Sequence, residues 1–160
     1  MKNKSLTPAR QEVLPLSELS LSRLDASTDH EVLEALAARA LAAGRVRPSF
    51  AKALIEREAA YPTGLPTVIP VAIPHADVEH VLKSGLGIAL LKNPVTFGEM
   101  GSDGGTVEAR LVVLILVTQP EQQVTLLTKL IDVFQQPGWF DAVDGTTDVE
   151  ELAQTFARLL

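Results

Sequence analysis

The stretch Leu111-Val-Val-Leu-Ile-Leu-Val117 is seven apolar residues long, and it indicates the fold of the whole chain. A strand without any polar side chain is typical of the middle of a sheet, where both faces are buried. Helices must then cover both faces of that sheet. The stretch therefore predicts an α/β fold in which a sheet lies between two layers of helices.

Two helices are predicted before this strand from apolar residues at helical spacing. The first begins at the capping-box sequence Thr28-Asp-His-Glu31, and the second begins at Pro48. In the second helix, Phe50 and Leu54 should face the core. The residues Glu56-Arg57-Glu58 should form its polar end.

Two more helices are predicted after the strand. One begins at Thr118-Gln-Pro-Glu121 and ends at Pro137-Gly138, and the last spans Val149 to Leu160. The residues of the first of these helices that should face the core are Val124, Leu127, Ile131 and Phe134.

Three further strands complete the predicted sheet, which alternates with the helices along the chain. The first strand covers residues 14–24, for which a short helix is the alternative, and the others cover residues 68–73 and 86–91. The last is bounded by Asn93-Pro94, and residues 95–97 are expected to extend a strand beyond it. Residues 1–13 are polar and show no sustained period, so we expect a flexible tail there. The alternation predicts three layers, with a mixed β-sheet flanked by helices on both faces.

Length and composition narrow the classes of function. The chain has 160 residues, which is enough for a single domain over residues 14–160. A net charge of −6 argues against nonspecific nucleic-acid binding, which depends on Lys and Arg. The absence of cysteine excludes disulfides, thiolate catalysis and zinc ribbons, and leaves histidine and carboxylates for the chemistry. No apolar run approaches the roughly 18 residues that span a bilayer, so we expect a cytoplasmic protein without membrane insertion.

The segment Val71-Ala-Ile-Pro-His75 places one imidazole directly after a short apolar run. The proline lacks a backbone donor and restricts the residue before it, so we expect His75 to begin a loop and to point outward from the sheet. Three interpretations are open from the residues alone. His75 is a structural histidine, a metal ligand together with Asp77 and His80, or a nucleophile that accepts a phosphoryl group as a labile phosphoramidate.

Several motifs, in order along residues 25–155, resemble enzyme IIA of the fructose and mannitol class (EIIA type 2) of the bacterial phosphoenolpyruvate-dependent sugar phosphotransferase system (PTS). The segments that carry the resemblance are Ile55-Glu-Arg57-Glu58, Pro62-Thr-Gly64, Val71-Ala-Ile-Pro-His75 and Lys92-Asn-Pro-Val-Thr-Phe-Gly-Glu-Met-Gly101. The stretches Pro62-Thr-Gly-Leu-Pro66 and Phe97-Gly-Glu-Met-Gly101 are most similar to the galactitol-type branch. The resemblance implies the mannitol-type fold, with one three-layer α/β domain.

The resemblance also implies a function. His75 would accept a phosphoryl group through Nε2 from the phosphorylated histidine carrier protein (HPr) and pass it to a cysteine of enzyme IIB, with a transient phosphohistidine as the intermediate. Enzyme IIB would work with the membrane permease, enzyme IIC, in the uptake and phosphorylation of a sugar or polyol such as galactitol. The resemblance implies no cofactor and no metal.

The residues that the resemblance places around His75 are Arg57, Thr63 and Gln123. Arg57 would hold the phosphoryl oxygens through its guanidinium group, or would only be an exposed arginine at the helix end that balances Glu56 and Glu58. Thr63 would offer a hydroxyl to the same group, or would only shape a turn. Gln123 stands where many members carry a second histidine, and it offers hydrogen bonds but no positive charge. The neighbouring Gln122 is the alternative at that position.

Three other functions stay open from the sequence. One is a regulatory PTS phosphoprotein of the same fold, in which partners read the phosphorylation state of His75. The second is a metal- or histidine-dependent hydrolase that uses His75, Asp77 and His80. The third is a plain interaction module in which the histidine is structural.

Overall fold

One five-stranded mixed sheet forms the middle layer of the computed structural model, which describes residues 12–160. Its strands, numbered along the chain, are β1 (Leu21–Leu24), β2 (Gly64–Leu65), β3 (Val71–Ala72), β4 (Gly85–Gly98) and β5 (Thr106–Leu116). Their order in the sheet is β1-β4-β5-β3-β2, with β1 parallel to β4, β4 antiparallel to β5, β5 parallel to β3 and β3 antiparallel to β2. Residues 1–11 of the predicted tail lie outside the described residues, so that tail stays a prediction.

Helices cover both faces of the sheet. They are α1 (Asp29–Ala42), α2 (Phe50–Ala60), α3 (Pro120–Gln135), α4 (Trp139–Asp144) and α5 (Val149–Leu159), with short 3₁₀ turns at Ser17–Leu19 and Val78–His80. The Thr28 hydroxyl accepts a hydrogen bond from the Glu31 N–H at 3.1 Å, so the predicted cap of α1 is present. Apolar residues of α1 and α2 join one core, and those of α3, α4 and α5 join the other. The predicted three-layer α/β fold is therefore confirmed.

The central strand β5 explains why the chain needs two helical layers. Its side chains alternate between the two cores. Val112, Leu114 and Leu116 pack with α1 and α2, whereas the residues between them pack with α3, α4 and α5. Every residue from Leu111 to Val117 is at most 2% exposed. Burial on both faces accounts for the uninterrupted apolar sequence.

Strand β4 runs through Asn93-Pro94, where the sequence predicted an end. Its pairing with β5 shifts register between Leu90 and Val95, and β1 pairs with β4 no further than Leu91. Proline lacks an N–H, but at this irregularity no ladder hydrogen bond requires one. The predicted boundary at Asn93-Pro94 is therefore wrong, whereas the predicted extension at residues 95–97 is confirmed as part of β4, which continues to Gly98.

Helix α3 turns a different face to the core from the one predicted. Val124 is 69% exposed and Ile131 is 38% exposed, whereas Leu126 and Leu130 are buried. The two sets share helical spacing and lie on neighbouring stripes of the helix, so periodicity alone does not choose between them. The predictions for Val124 and Ile131 are wrong, and the prediction for Phe134, which is buried, is confirmed.

Two strands are shorter than the apolar patterns that predicted them. Of residues 14–24, only Leu21–Leu24 form a strand, and of residues 68–73, only Val71–Ala72 do. Pro70 lacks the N–H that a longer β3 would donate to its neighbours. Strand β3 is thus a short element that delivers the next few residues to the edge of the sheet.

Candidate active site

His75 lies just beyond the carboxyl ends of the neighbouring parallel strands β3 and β5. Beyond β3 the chain continues beside β5: the Ile115 N–H donates to the Pro74 carbonyl oxygen at 3.0 Å, and His75 forms a parallel bridge with Ile115. The chain leaves β5 at the same edge and enters α3 at Pro120. A crevice outside the carboxyl ends of strands is a common position for a site in α/β proteins.

The imidazole ring of His75 is held in one tautomer. Its Nδ1 lies 3.0 Å from the Ile73 carbonyl oxygen, and since a carbonyl oxygen only accepts, Nδ1–H is the donor and Nε2 keeps its lone pair. His75 is only 8% exposed, so it does not project from the sheet into solvent, although it lines a cavity. The ring lies in the body of the protein and not on a projecting loop.

The environment of His75 favours the neutral ring. Burial lowers the pKa of His75, and the charge of Arg57 lowers it further, whereas the bond to Ile73 and the charge of Asp77 act to raise it. The net shift is downward from 6.5. The ring is therefore mostly neutral at pH 7, and this is the form in which Nε2 is a nucleophile.

A cavity of about 300 Å³ opens at His75. The end of α2, the segment that follows β3 and the first turn of α3 line it. The lining residues are Arg57, His75, Asp77, Val78, Glu79, Pro120 and Gln123. The structure thus brings together three of the residues predicted for the site, namely His75, Arg57 and Gln123.

Arg57 lies on the wall of this cavity as a restrained cation. Its Nη1 donates to the Asp77 carboxylate at 3.1 Å, and its guanidinium group lies over the Tyr61 ring, 5.0 Å from the ring centroid. Its Nε is buried and has no hydrogen-bond partner among residues 12–160. Because Asp77 takes only one of the five N–H groups of the guanidinium, its Nη groups have donor capacity left for an anion in the cavity.

The first turn of α3 contributes a second donor and a favourable potential. Gln123 lines the cavity and Gln122 does not, so Gln123 is the member of that pair at the site. No side chain caps the helix at Gln119, and Pro120 occupies its first turn. The N-terminal N–H groups and the helix dipole therefore add a positive potential at this end of the cavity.

Thr63 and Glu58 lie behind the cavity and not on its lining. The Thr63 N–H donates to Glu58 Oε2 and the Thr63 hydroxyl donates to Glu58 Oε1, each at 2.8 Å. The hydroxyl that was predicted to contact a phosphoryl group therefore has Glu58 as its partner. In this structure Thr63 contacts Glu58 and is not among the residues that line the cavity.

Glu58 is a functional candidate that the sequence reasoning missed. It was predicted at the polar end of α2, but it is only 4% exposed. Glu58 follows Phe50 and Leu54 at intervals of four residues, which puts it on the inward face of the helix. That spacing is the signal from which its burial can be read.

Asp77 and His80 do not join His75 as metal ligands. Asp77 pairs with Arg57, and His80 Nδ1 lies in a hydrogen bond of 2.8 Å with the Ser49 hydroxyl. Across residues 12–160, no group of three or more histidine, cysteine, aspartate or glutamate side chains is placed to hold a metal ion. The geometry therefore does not support the predicted alternative of a metal-dependent hydrolase.

Sequence comparison relates nearly the whole chain to one family. The family model described as "Phosphoenolpyruvate-dependent sugar phosphotransferase system, EIIA 2" matches residues 15–158. The galactitol-specific EIIA component of the PTS of Escherichia coli (strain K12) is 36% identical over 108 residues, which are 67% of this chain and 71% of that protein. The resemblance to the galactitol-type branch is therefore confirmed.

Solved structures of related proteins share the fold. The crystal structure of IIA mannitol from Escherichia coli is 28% identical, with a TM-score of 0.71 over 88% of this chain and 97% of that chain. The NMR structure of the complex of enzyme IIAMTL and phosphorylated enzyme IIBMTL from Escherichia coli is also 28% identical, with a TM-score of 0.70 over 88% of this chain and 95% of that chain. The predicted mannitol-type fold is confirmed.

No helix within residues 12–160 has the length and apolar character needed to cross a membrane.

The family match, the galactitol-specific relative and the mannitol-type structures agree on the class of protein. The chain therefore belongs to the EIIA 2 family of the phosphoenolpyruvate-dependent sugar phosphotransferase system.

Proposed function

We propose that this chain is the enzyme IIA phosphocarrier of a sugar PTS, and that His75 is the residue that carries the phosphoryl group. The observation that supports this role is the hydrogen bond from His75 Nδ1–H to the Ile73 carbonyl oxygen. It leaves Nε2 as the free nucleophile at a cavity that also contains Arg57. No cofactor takes part in the proposed reaction.

Two in-line transfers make up the proposed cycle. In the first, the Nε2 lone pair of His75 attacks the phosphorus of phospho-HPr, the Nε2–P bond forms, and the donor N–P bond breaks with its electron pair returning to the donor histidine. In the second, a cysteine thiolate of enzyme IIB attacks the same phosphorus, the S–P bond forms, and the Nε2–P electron pair returns to His75. His75 neither gains nor loses a proton, so Nδ1–H keeps its bond to Ile73 throughout.

Arg57 and Gln123 serve this chemistry as donors to the phosphoryl oxygens. Negative charge is spread over those oxygens in the transition state, and preorganised donors in a partly desolvated cavity stabilise it. Arg57 supplies the charge, and it exchanges part of its contact with Asp77 for contact with the phosphoryl group. Gln123 supplies a neutral amide donor beside the N-terminus of α3.

The proposed partners follow from the relatives. The solved complex of the mannitol proteins contains an enzyme IIA and a phosphorylated enzyme IIB, which supports enzyme IIB as the acceptor. The galactitol-specific relative supports galactitol or a similar polyol as the sugar that the system takes up through enzyme IIC. HPr is the proposed donor, and the proposed location is the cytoplasm, where soluble donor and acceptor proteins meet.

The test is phosphorylation of the purified protein by phosphoenolpyruvate, enzyme I and HPr. Intact-mass measurement should show one added phosphoryl group that is labile in acid, absent in His75→Ala and retained in His80→Ala. Labelling that survives His75→Ala would contradict the assignment. The label should then move to a cysteine of enzyme IIB, whereas a stable label that no enzyme IIB accepts would favour the regulatory role.

A further inference from the structure

Glu58 is a buried carboxylate that the phosphoryl-transfer steps do not use. It lies in the last turns of α2, next to Arg57 in the sequence, and is 4% exposed. Within residues 12–160, no lysine, arginine or histidine forms a salt bridge with it. A buried carboxylate without a cation costs stability, so its hydrogen bonds place a strong constraint on their donors.

The hydrogen bonds of Glu58 lead to the histidine in three steps. The Thr63 hydroxyl donates its only proton to Glu58 Oε1 at 2.8 Å. Its oxygen is then oriented to accept from the Ile73 N–H at 3.2 Å, and the Thr63 carbonyl oxygen accepts from the same N–H at 3.3 Å. The carbonyl oxygen of Ile73 accepts from His75 Nδ1–H at 3.0 Å. The peptide segment that orients the imidazole is therefore anchored to Glu58 through Thr63.

The same carboxylate ties the end of α2 to the turn that follows the helix. Its second oxygen accepts from the Thr63 N–H at 2.8 Å. Arg57 precedes Glu58 in the helix and lines the cavity with His75. Glu58 thus connects the helix that presents the cation to the residues that orient the nucleophile.

We propose that Glu58 is a positioning residue: it orients the Thr63 hydroxyl, which anchors Ile73, whose carbonyl oxygen holds His75 as the Nδ1–H tautomer with Nε2 free. The effect on phosphoryl transfer rests on the proposed function. The effect on the tautomer does not, because it concerns the unphosphorylated protein. Burial raises the pKa of Glu58, as expected for a carboxylate placed in this position without a cation.

The experiment compares Thr63→Val, Thr63→Ser and Glu58→Gln with the wild type. Valine matches threonine in shape but lacks the hydroxyl, whereas serine keeps it, so the pair isolates the hydroxyl. Glutamine matches glutamate in shape but offers a single acceptor oxygen where two donors point. Folding is checked by thermal unfolding, and Glu58→Gln provides the readout if Thr63→Val does not fold.

The readouts are the tautomer and pKa of His75 by nitrogen NMR, and the rate of phosphorylation by phospho-HPr. Wild type and Thr63→Ser should show the Nδ1–H form. Thr63→Val and Glu58→Gln should show a mixture of tautomers and a lower pKa of His75, because the bond to Ile73 raises that pKa. Arg57, Asp77 and Glu79, the charged residues that line the cavity, are unchanged in all of these variants. The phosphorylation rate should fall about tenfold in the two disruptive variants, which corresponds to the loss of roughly one buried hydrogen bond.

A wild-type protein in the Nε2–H form would overturn the proposal. So would a folded Thr63→Val or Glu58→Gln protein with the tautomer and pKa of wild type. If the tautomer shifts as expected but the wild type accepts no phosphoryl group, the positioning role stands and the proposed function fails. If transfer occurs and the tautomer is the same in every variant, the function stands and Glu58 only stabilises the fold.

Discussion

Replacement of Arg57 by alanine tests the role of the cation at the cavity. In the structure Arg57 has two restraining contacts. Its Nη1 forms an ion pair with Asp77 at 3.1 Å, and the side chains of Arg57 and Asp77 are 36% and 64% exposed. Its guanidinium carbon also lies 5.0 Å from the centroid of the Tyr61 ring. An exposed ion pair contributes about 0.2–1 kcal/mol and an exposed cation–π contact about 0.5–1 kcal/mol. The free energy of unfolding should therefore fall by only about 1–2 kcal/mol in Arg57→Ala.

The rate of phosphoryl transfer should respond more strongly than the stability. A hydrogen bond to a charged group contributes about 1.5–3 kcal/mol, which corresponds to a loss of roughly 10- to 150-fold in rate. Arg57→Lys should lie between alanine and wild type, because lysine keeps the charge but loses the planar fork and the stack on Tyr61.

The assay is the single-turnover rate of His75 phosphorylation by phospho-HPr, with urea unfolding measured in parallel. Lys52→Ala is the matched control, since Lys52 lies on the same helix, is 82% exposed and carries the same charge outside the cavity. Its rate should match that of wild type. Equal rates for Arg57→Ala and Lys52→Ala would refute a role of the guanidinium group in the transfer.

Four further predictions concern pH and the remaining cavity donor. Because burial lowers the pKa of His75, the transfer rate should decline only below pH 6.5, and a midpoint at or above 6.5 in the pH–rate profile would contradict this. The contribution of His75 to stability should fall over the same window, since the unfolded chain binds the proton first as the pH drops. Burial raises the pKa of Glu58, so the contribution of Glu58 to stability should fall as the pH rises above 4.5. In urea unfolding, the stability difference between wild type and Glu58→Gln should therefore change with pH in that direction, and a difference that does not vary with pH would contradict it. Gln123→Ala should slow transfer by about two- to tenfold, as expected for a neutral hydrogen bond, while Gln122→Ala leaves the rate unchanged, and equal effects would remove Gln123 from the site.

Local patterns were sufficient for the elements that surround the site. The apolar run from Leu111 to Val117 predicted a strand with helices on both sides, and both helical layers are present. His75 was selected from the apolar run and proline before it, Arg57 and Gln123 were selected through a family resemblance, and all three line one cavity. The prediction succeeded there because the order of the motifs carries information about the fold that no single motif contains.

The errors in helices α2 and α3 share one physical cause. Val124 and Ile131 form an apolar stripe that is as regular as the buried stripe beside it, so helical spacing could not show which one meets the sheet. Glu58 was assigned to a polar helix end by its charge, although its partner, Thr63, is supplied by the turn that follows the helix. In each case, whether the residue is buried depends on the neighbour against which it packs.

Apolar periodicity, capping residues and proline act over a few residues, and these short-range preferences are enough to determine an α/β chain with a histidine at the end of a short strand. Short-range preferences do not determine which imidazole nitrogen of His75 stays free. It depends on the carbonyl oxygen of Ile73, which hydrogen bonds connect through Thr63 to Glu58, fifteen residues before it in the sequence. Burial, donor direction and the pKa of His75 arise only when such separated segments pack together, because each is a property of the contact and not of the residue.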